Sequence, residues 1–347
     1  MGTAKPALKN EVKTQRKTRN FFVDLIRRLF KEKPLGVMGF IIVVILLVVG
    51  IFAAFIAPEK GIPGQTPGYN VLHLADRFTP PFTNPHYLLG TDKLGRDLLS
   101  RVIYGAQLSM IVAVVGTVLQ TIVSLAIGVA CAYFGGAFDL IVQRFVDAWI
   151  CFPGLVILIT LMSIVGPGLV QILLVLGISG GIGLSRFKRA LVFAIRENQY
   201  IYAAQATGAR SFSVMWRHIL PNIMPMVVVI FTNSLGGLIM YEASLSFLGL
   251  GLPPPYPSWG SMISGEGRAN MLLAPWLILW PGLALSLVIF GINMFGDALR
   301  DLLDPRLRGG LGSYRLDKVE KISRKLKAKM EGARPAVERQ ISDLKGK

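Results

Sequence analysis

Five long stretches of this chain contain no Asp, Glu, Lys or Arg: residues 34–58, 102–138, 148–185, 218–241 and 269–296. A helix that crosses the hydrocarbon core of a bilayer takes roughly 20 apolar residues, and each stretch meets that length. A soluble nucleic-acid binder does not carry several such runs, and intrinsic disorder, collagen and small disulfide scaffolds are excluded by the same feature. The chain reads as an all-α polytopic membrane protein. Only 16% of its 347 residues are charged, where a soluble domain has about a quarter.

The formal charge of +17 fits either a nucleic-acid surface or a membrane protein with basic cytoplasmic ends. Position decides. Residues 1–35 carry ten Lys/Arg against three Asp/Glu, residues 185–222 six against Glu197 alone, and residues 297–347 fourteen against eight. The rest of the chain is close to neutral, so nucleic acid is not an expected partner and membrane lipid is.

Six spans are predicted, at about 36–57, 108–134, 141–165, 169–184, 223–247 and 275–295, with Pro153 as a kink in the third and Gly166-Pro167-Gly168 as its stop. Basic residues close to spans favour the cytoplasmic side. An N-terminus inside also puts 185–222 and the C-terminus inside, leaving 58–106 and 248–275 outside. The segment 36–57 is too long for a signal-peptide core and lacks small residues at a cleavage position, so it reads as a retained helix. The expected organisation is a basic cytoplasmic segment 1–35, a six-helix transmembrane domain 36–309 and a basic cytoplasmic tail 310–347. Glycine and proline are dense in the spans, which suits close helix packing and a path through a bundle. Cys131 and Cys151 read as small buried hydrophobes rather than a disulfide or a metal pair. In the tail, Val319, Ile322, Leu326 and Met330 repeat at helical spacing among basic residues.

The loop 185–222 is long for a connection and should hold structure or function. It divides into two short helices, with Gly208 stopping the first, Ser211 as N-cap of the second and Pro221 at the entry to the fifth span. Ala203, Ala204, Ala206, Gly208 and Ala209 form a surface with almost no bulk, flanked by Tyr200, Tyr202, Arg210, Phe212, Trp216 and Arg217. Such a face either seats in a partner's groove or packs on the protein's own helix ends.

Tyr202-Ala203-Ala204, Gly208 four residues after the second Ala, and Ile219-Leu220-Pro221 resemble the Glu-Ala-Ala loop of ABC importer permeases, with Tyr202 standing where that family has Glu. Three further segments resemble the dipeptide, oligopeptide and nickel branch. These are Leu89-Gly90-Thr91-Asp92 through Gly95-Arg96-Asp97, Glu242-Ala243-Ser244-Leu245-Ser246-Phe247 through Pro257-Ser258-Trp259-Gly260, and Asp297-Ala298-Leu299-Arg300-Asp301 through Leu303-Asp304-Pro305-Arg306. The resemblance spans roughly residues 35–309. It implies the type I permease fold in a prokaryotic inner (plasma) membrane and a role in importing di- or oligopeptides, with nickel or a small solute such as an oligosaccharide as the alternative cargo. It also implies a homologous second permease, two ABC ATPase subunits that bind ATP and magnesium, and an extracytoplasmic solute-binding protein. The loop residues Tyr200 to Arg217 named above would couple to the ATPases.

No Gly-x-x-x-x-Gly-Lys-Ser/Thr loop occurs, His73, His86 and His218 have no ligand spacing, and no serine elbow is present. No catalytic, cofactor or metal site is therefore expected in this chain, and ATP hydrolysis is expected in partners. Glu242, a carboxylate in an apolar run near the outer boundary, is a candidate for the path or its gate. Arg144 and Asp147 read as a pair at the inner start of the third span. Asp92, Arg96 and Asp97, with Arg101, read either as a salt-bridged turn or as contacts to a docked binding protein or second permease. An ATP-independent channel or secondary transporter would need ionisable groups in mid-span, and these are nearly absent.

Overall fold

A computed structural model describes residues 21–59, 61 and 67–303, with side chains described from residue 26 onward. The basic segment 1–20, the repeat around Val319–Met330 and residues 304–309 of the transmembrane domain lie outside the described residues. Residues to Arg300 form one compact unit, and Asp301 opens a second that is described only over 301–303.

The elements are α1 (Phe21–Glu32), α2 (Pro34–Ile51), α3 (Ala53–Ile56), α4 (Leu98–Ile111), α5 (Thr117–Phe134), α6 (Gly136–Ile150), α7 (Gly154–Val165), α8 (Leu169–Arg196), α9 (Gln199–Ala206), α10 (Ser211–Val214), α11 (Leu220–Phe247), α12 (Trp259–Met262) and α13 (Trp276–Leu303). Single π turns at Val112–Gly116 and Met215–Ile219 join α4 to α5 and α10 to α11 into helices of membrane-crossing length. Among the described residues, five helices are long and apolar enough to cross a bilayer, six if the bent pair α6–α7 counts as one span.

Four boundaries differ from the sequence reading. The second span begins at Leu98, not near 108, because the Asp97 carboxylate caps it by accepting N–H bonds from Leu99 (3.3 Å) and Ser100 (2.8 Å). Its first turns carry Ser100, Arg101 and Gln107, which hide the start from a hydropathy reading. The third span is not a kinked helix but two helices meeting at 91°. Pro153 has no N–H to give the ladder and disfavours helical geometry at Phe152, so the chain breaks there and restarts at Gly154. The fourth span runs past 184 to Arg196, absorbing the front of the expected loop. Charges there do not end it: Arg189 donates to both oxygens of Asp139 (2.6 and 2.5 Å), and Arg196 donates to the Ala132 carbonyl (2.8 Å). Finally, Ser211 is the first helical residue rather than the N-cap, since Arg210 holds the extended cap position and no side chain caps it.

Helices in lipid associate through packing more than water exclusion, and α5–α8 is the tightest example. A Cβ on Gly177 would sit 2.6 Å from Leu119, on Gly181 2.6 Å from Val123, and on Gly128 2.7 Å from the Ser185 carbonyl. Three clusters of buried side chains bear on the site. One gathers Leu98, Ile239, Trp259, Leu277 and Ile292; a second Met162, Ile172, Leu176, Leu238 and Leu245; a third Ala132, Val192, Ile201, Val214, Ile219 and Ile223.

Candidate functional site

The loop expected to couple is built on the third cluster. Ile201, only 1% exposed, is the tooth of α9 that enters it, meeting Ala132 of α5, Val192 of α8 and Val214, Ile219 and Ile223 around α10–α11. The end of α9 is a Schellman motif: Gly208 N–H donates to the Gln205 carbonyl (3.0 Å) and Ala209 N–H to the Ala204 carbonyl (3.2 Å). The motif requires a left-handed residue, and Gly208 supplies it with φ +81°. Asn198 Nδ2 closes the end of α8 through the Ile195 carbonyl (2.9 Å).

With Ile201 turned inward, the other face of the loop is open. Tyr200, Tyr202, Ala203, Gly208, Arg210, Phe212, Trp216 and Arg217 are exposed, and Ala204 and Ala209 are half-buried. Phe212 and Trp216 stack nearly parallel, centroids 6.2 Å apart, and are 71% and 63% exposed. Large aromatic side chains are enriched among the residues that carry the binding energy of protein interfaces. Tyr202 lies on the exposed side, so no carboxylate–cation contact occurs at that position in this chain.

The opposite end is organised by buried charge. Asp92 Oδ1 accepts from the N–H of Leu94 (2.8 Å) and of Arg96 (3.0 Å), and Arg96 Nε donates to Asp92 Oδ2 (2.6 Å). Arg96 Nη2 reaches Glu266 Oε1 at 2.7 Å, and Arg101 adds a 3.8 Å approach to Asp92 and a bond to the Tyr69 carbonyl (3.2 Å). Asp92, Arg96 and Asp97 are all buried. All three side chains are enclosed: Asp92 and Arg96 form a salt-bridged lock with Glu266, and Asp97 caps α4. Burial raises the Asp97 carboxyl above its ordinary value, against the pull of the bonds from Ser100 and Leu99. Tyr87, beneath the same loop, donates to Asp76 Oδ2 (3.1 Å), and burial together with that bond pushes it up to about 12. Asp92, Arg96, Arg101 and Glu266, with Ser246 and Tyr256, border a cavity of about 550 Å³.

Glu242 is fully enclosed near the end of α11, its Oε1 accepting from Ser246 (2.7 Å) and Ser258 (2.8 Å). It thereby pins α12 to α11, while Trp259 Nε1 pins α12 to the Val102 carbonyl of α4 (3.0 Å). Arg144 pairs with Asp147 (3.5 Å), which also receives Arg186 (3.1 Å). Cys131 is buried as expected, whereas Cys151 is exposed at the break between α6 and α7. The sequence reading missed Glu266 and Ser258. Glu266 is the only acidic residue of its loop, a signal that could have been matched to the buried arginines.

Helices of membrane-crossing length, with a braced and exposed short helix at one end and a charge-locked cap at the other, are what a membrane-embedded transport subunit is expected to show. Residues 122–309 match the family described as binding-protein-dependent transport system inner membrane component, and residues 21–81 match the N-terminal TM domain of oligopeptide transport permease C. The chain belongs to the binding-protein-dependent transport permeases. It is a multi-pass inner-membrane protein of the type I permease fold and a transport subunit rather than an enzyme. A relative in Brucella suis biovar 1, whose name places it in a peptide transport system as the permease, is 38% identical over 284 residues, covering 81% of this chain and 91% of its own. The dipeptide transport system permease protein DppC of Alkalihalophilus pseudofirmus is 33% identical over 278 residues (80% and 88%). The glutathione transport system permease protein GsiD of Escherichia coli O6:K15:H31 is 33% identical over 282 residues (81% and 90%).

Proposed function

We propose that this chain is one of two homologous permease subunits of an ATP-driven importer of di- or oligopeptides. Its partners are the second permease, two ABC ATPase subunits that bind ATP and magnesium, and an extracytoplasmic binding protein that delivers the solute. The termini and the α8–α10 connection face the cytoplasm, following the basic residues near the spans. The observation that carries the reading is the exposed Tyr200–Arg217 face standing on Ile201. The ATPases grip Tyr202, Ala203, Ala204, Phe212 and Trp216, and their closure moves Ile201. Because α5, α8 and α11 all touch that residue's cluster, they move together, a rigid-body change that swaps access between the two sides. Glu242 serves the outer gate, since its two serine bonds hold α12 closed on α11. The peptide names of three relatives favour peptide over nickel or sugar as cargo.

Co-purification tests the coupling. Ala204→Leu with Gly208→Val should leave the permease pair assembled and abolish retention of the ATPases; retention at the wild-type level would sink the assignment.

A further inference from the structure

A second, smaller cavity of about 220 Å³ lies at the elbow between α6 and α7. It is walled by Phe152 and Gly154 at the break, Gln120 of α5, Ser179 and Gly183 of α8 and Tyr241 of α11. The N-terminus of α7 opens here. Pro153 offers no side-chain cap, and its carbonyl takes the N–H groups of Val156 and Ile157 (2.9 and 3.2 Å), which leaves those of Gly154 and Leu155 without an intrahelical partner. The first turn of a twelve-residue helix therefore presents partial positive charge and N–H donors toward the notch. Independently, Gln120 is 7% exposed, lines the notch, and its Oε1 has no hydrogen-bond partner. A buried amide oxygen left unpaired is costly, so such a group marks a place that something else fills. The Tyr241 hydroxyl completes the rim, 3.4 Å from where a Cβ on Gly154 would stand.

The geometry points to this elbow as a transient binding site for one backbone peptide group of the solute: the solute carbonyl or terminal carboxylate on the α7 N-terminus, its N–H on Gln120 Oε1. The inference rests on the peptide-importer reading and adds where and how the solute is held. A peptide unit is a donor and an acceptor side by side, which is the complement of what the notch leaves unmet. A cation would face the positive end of α7 and is disfavoured. At about 220 Å³ the notch is smaller than the ~300–1,000 Å³ of a whole-ligand pocket, so it holds the backbone and leaves side chains to the space beyond. That suits a carrier indifferent to side-chain identity. Discontinuous membrane helices that aim half-helix ends at a solute are a general device of transporters.

The test uses the complete importer in liposomes, with labelled trialanine as probe, and reads uptake per ATP hydrolysed. Gln120→Leu should keep ATPase stimulation by the loaded binding protein within about twofold and lower uptake per ATP about tenfold, the equivalent of one good hydrogen bond. Gly183→Leu should give the same loss by filling the notch, and it keeps the test decisive where Gln120→Leu fails to assemble, because a Cβ at Gly183 meets nothing within 4 Å. Trialanine uptake per ATP at the wild-type level in Gly183→Leu, or in an assembled Gln120→Leu, overturns the site alone. A wild-type complex that takes up no peptide overturns both the site and the peptide reading.

Discussion

The two ends of the bundle use charge in opposite ways. At the outer end, Asp92, Arg96 and Asp97 are enclosed and bonded to one another or to the chain, and Arg96 reaches across to Glu266. At the inner end, Arg210 and Arg217 stand in the open beside exposed aromatics, and the only fully enclosed part of α9 is the apolar Ile201. Enclosed charge fixes position, because separating a buried pair strands both members. Exposed charge and aromatic surface on an apolar root fix nothing within the chain and are available to another protein. The end around Asp92 and Arg96 is thus built to hold loops in one arrangement, and the end around Ile201 keeps an open face on a fixed root, as the proposed coupling to ATPases requires.

The largest effect should come from breaking the outer lock. Arg96→Ala leaves Asp92, 1% exposed, and Glu266 without their guanidinium, and removing one partner of a buried pair costs about 3–5 kcal/mol. Thermal unfolding of the purified protein in detergent should show a large drop. A change within the range of surface substitutions would mean that the outer charges are not the lock described. At the inner end the matching substitution is Ile201→Ala. It empties a place in the third cluster and should cost about 2–4 kcal/mol, loosening α9 while leaving the outer loops as resistant to protease as before.

A smaller effect separates the outer loop by pH. The folded-state value of Tyr87, about 12, lies above the ordinary value of 10.0. The sign follows from linkage: the contribution is fully present below pH 10, and it is lost as pH rises through about 12. Ultraviolet phenolate titration should show a late component that loses one tyrosine in Tyr87→Phe, with a stability loss of about 1 kcal/mol at neutral pH. A titration curve unchanged by the substitution would remove Tyr87 from the bonded interior of the outer loop.

The spans were legible because freedom from charge over a bilayer's width has few other meanings. Gly208 as a stop was legible too, since a left-handed cap is most often glycine. What stayed hidden is what hydropathy cannot register. The start of α4 is hidden by polar residues that the outer loop buries. The continuation of α8 to Arg196 is hidden by Lys188 and Arg189; the charge of Arg189 looks like a loop until Asp139 is found opposite. The elbow was half-visible in Pro153, but its angle depends on packing that local sequence does not encode. The group Asp92, Arg96 and Asp97 was read as charged and placed outside the membrane; its enclosure depends on Glu266, 170 residues from Arg96, and no spacing rule links residues that far apart. The open, low-bulk face was legible as composition, while Ile201 as its root was not, because one apolar residue among tyrosines and alanines carries no periodic signal.

The smallest expected change in stability is the sharpest test of the contrast between the two ends. Phe212 and Trp216 stack on each other with most of their surface open, and exposed positions usually move stability by no more than about 0.5 kcal/mol. The double substitution Phe212→Ala with Trp216→Ala should therefore leave detergent stability and the outer lock untouched. It should still lower ATP-dependent uptake by the assembled importer at least about tenfold, since large aromatic anchors carry much of an interface's binding energy. Pairing this with Arg96→Ala crosses the two readouts: one variant loses coupling and keeps stability, the other loses stability first. If Phe212→Ala with Trp216→Ala destabilises the isolated chain as much as Ile201→Ala does, the aromatics belong to the protein's own fold. The inner end would then be a second lock rather than a handle.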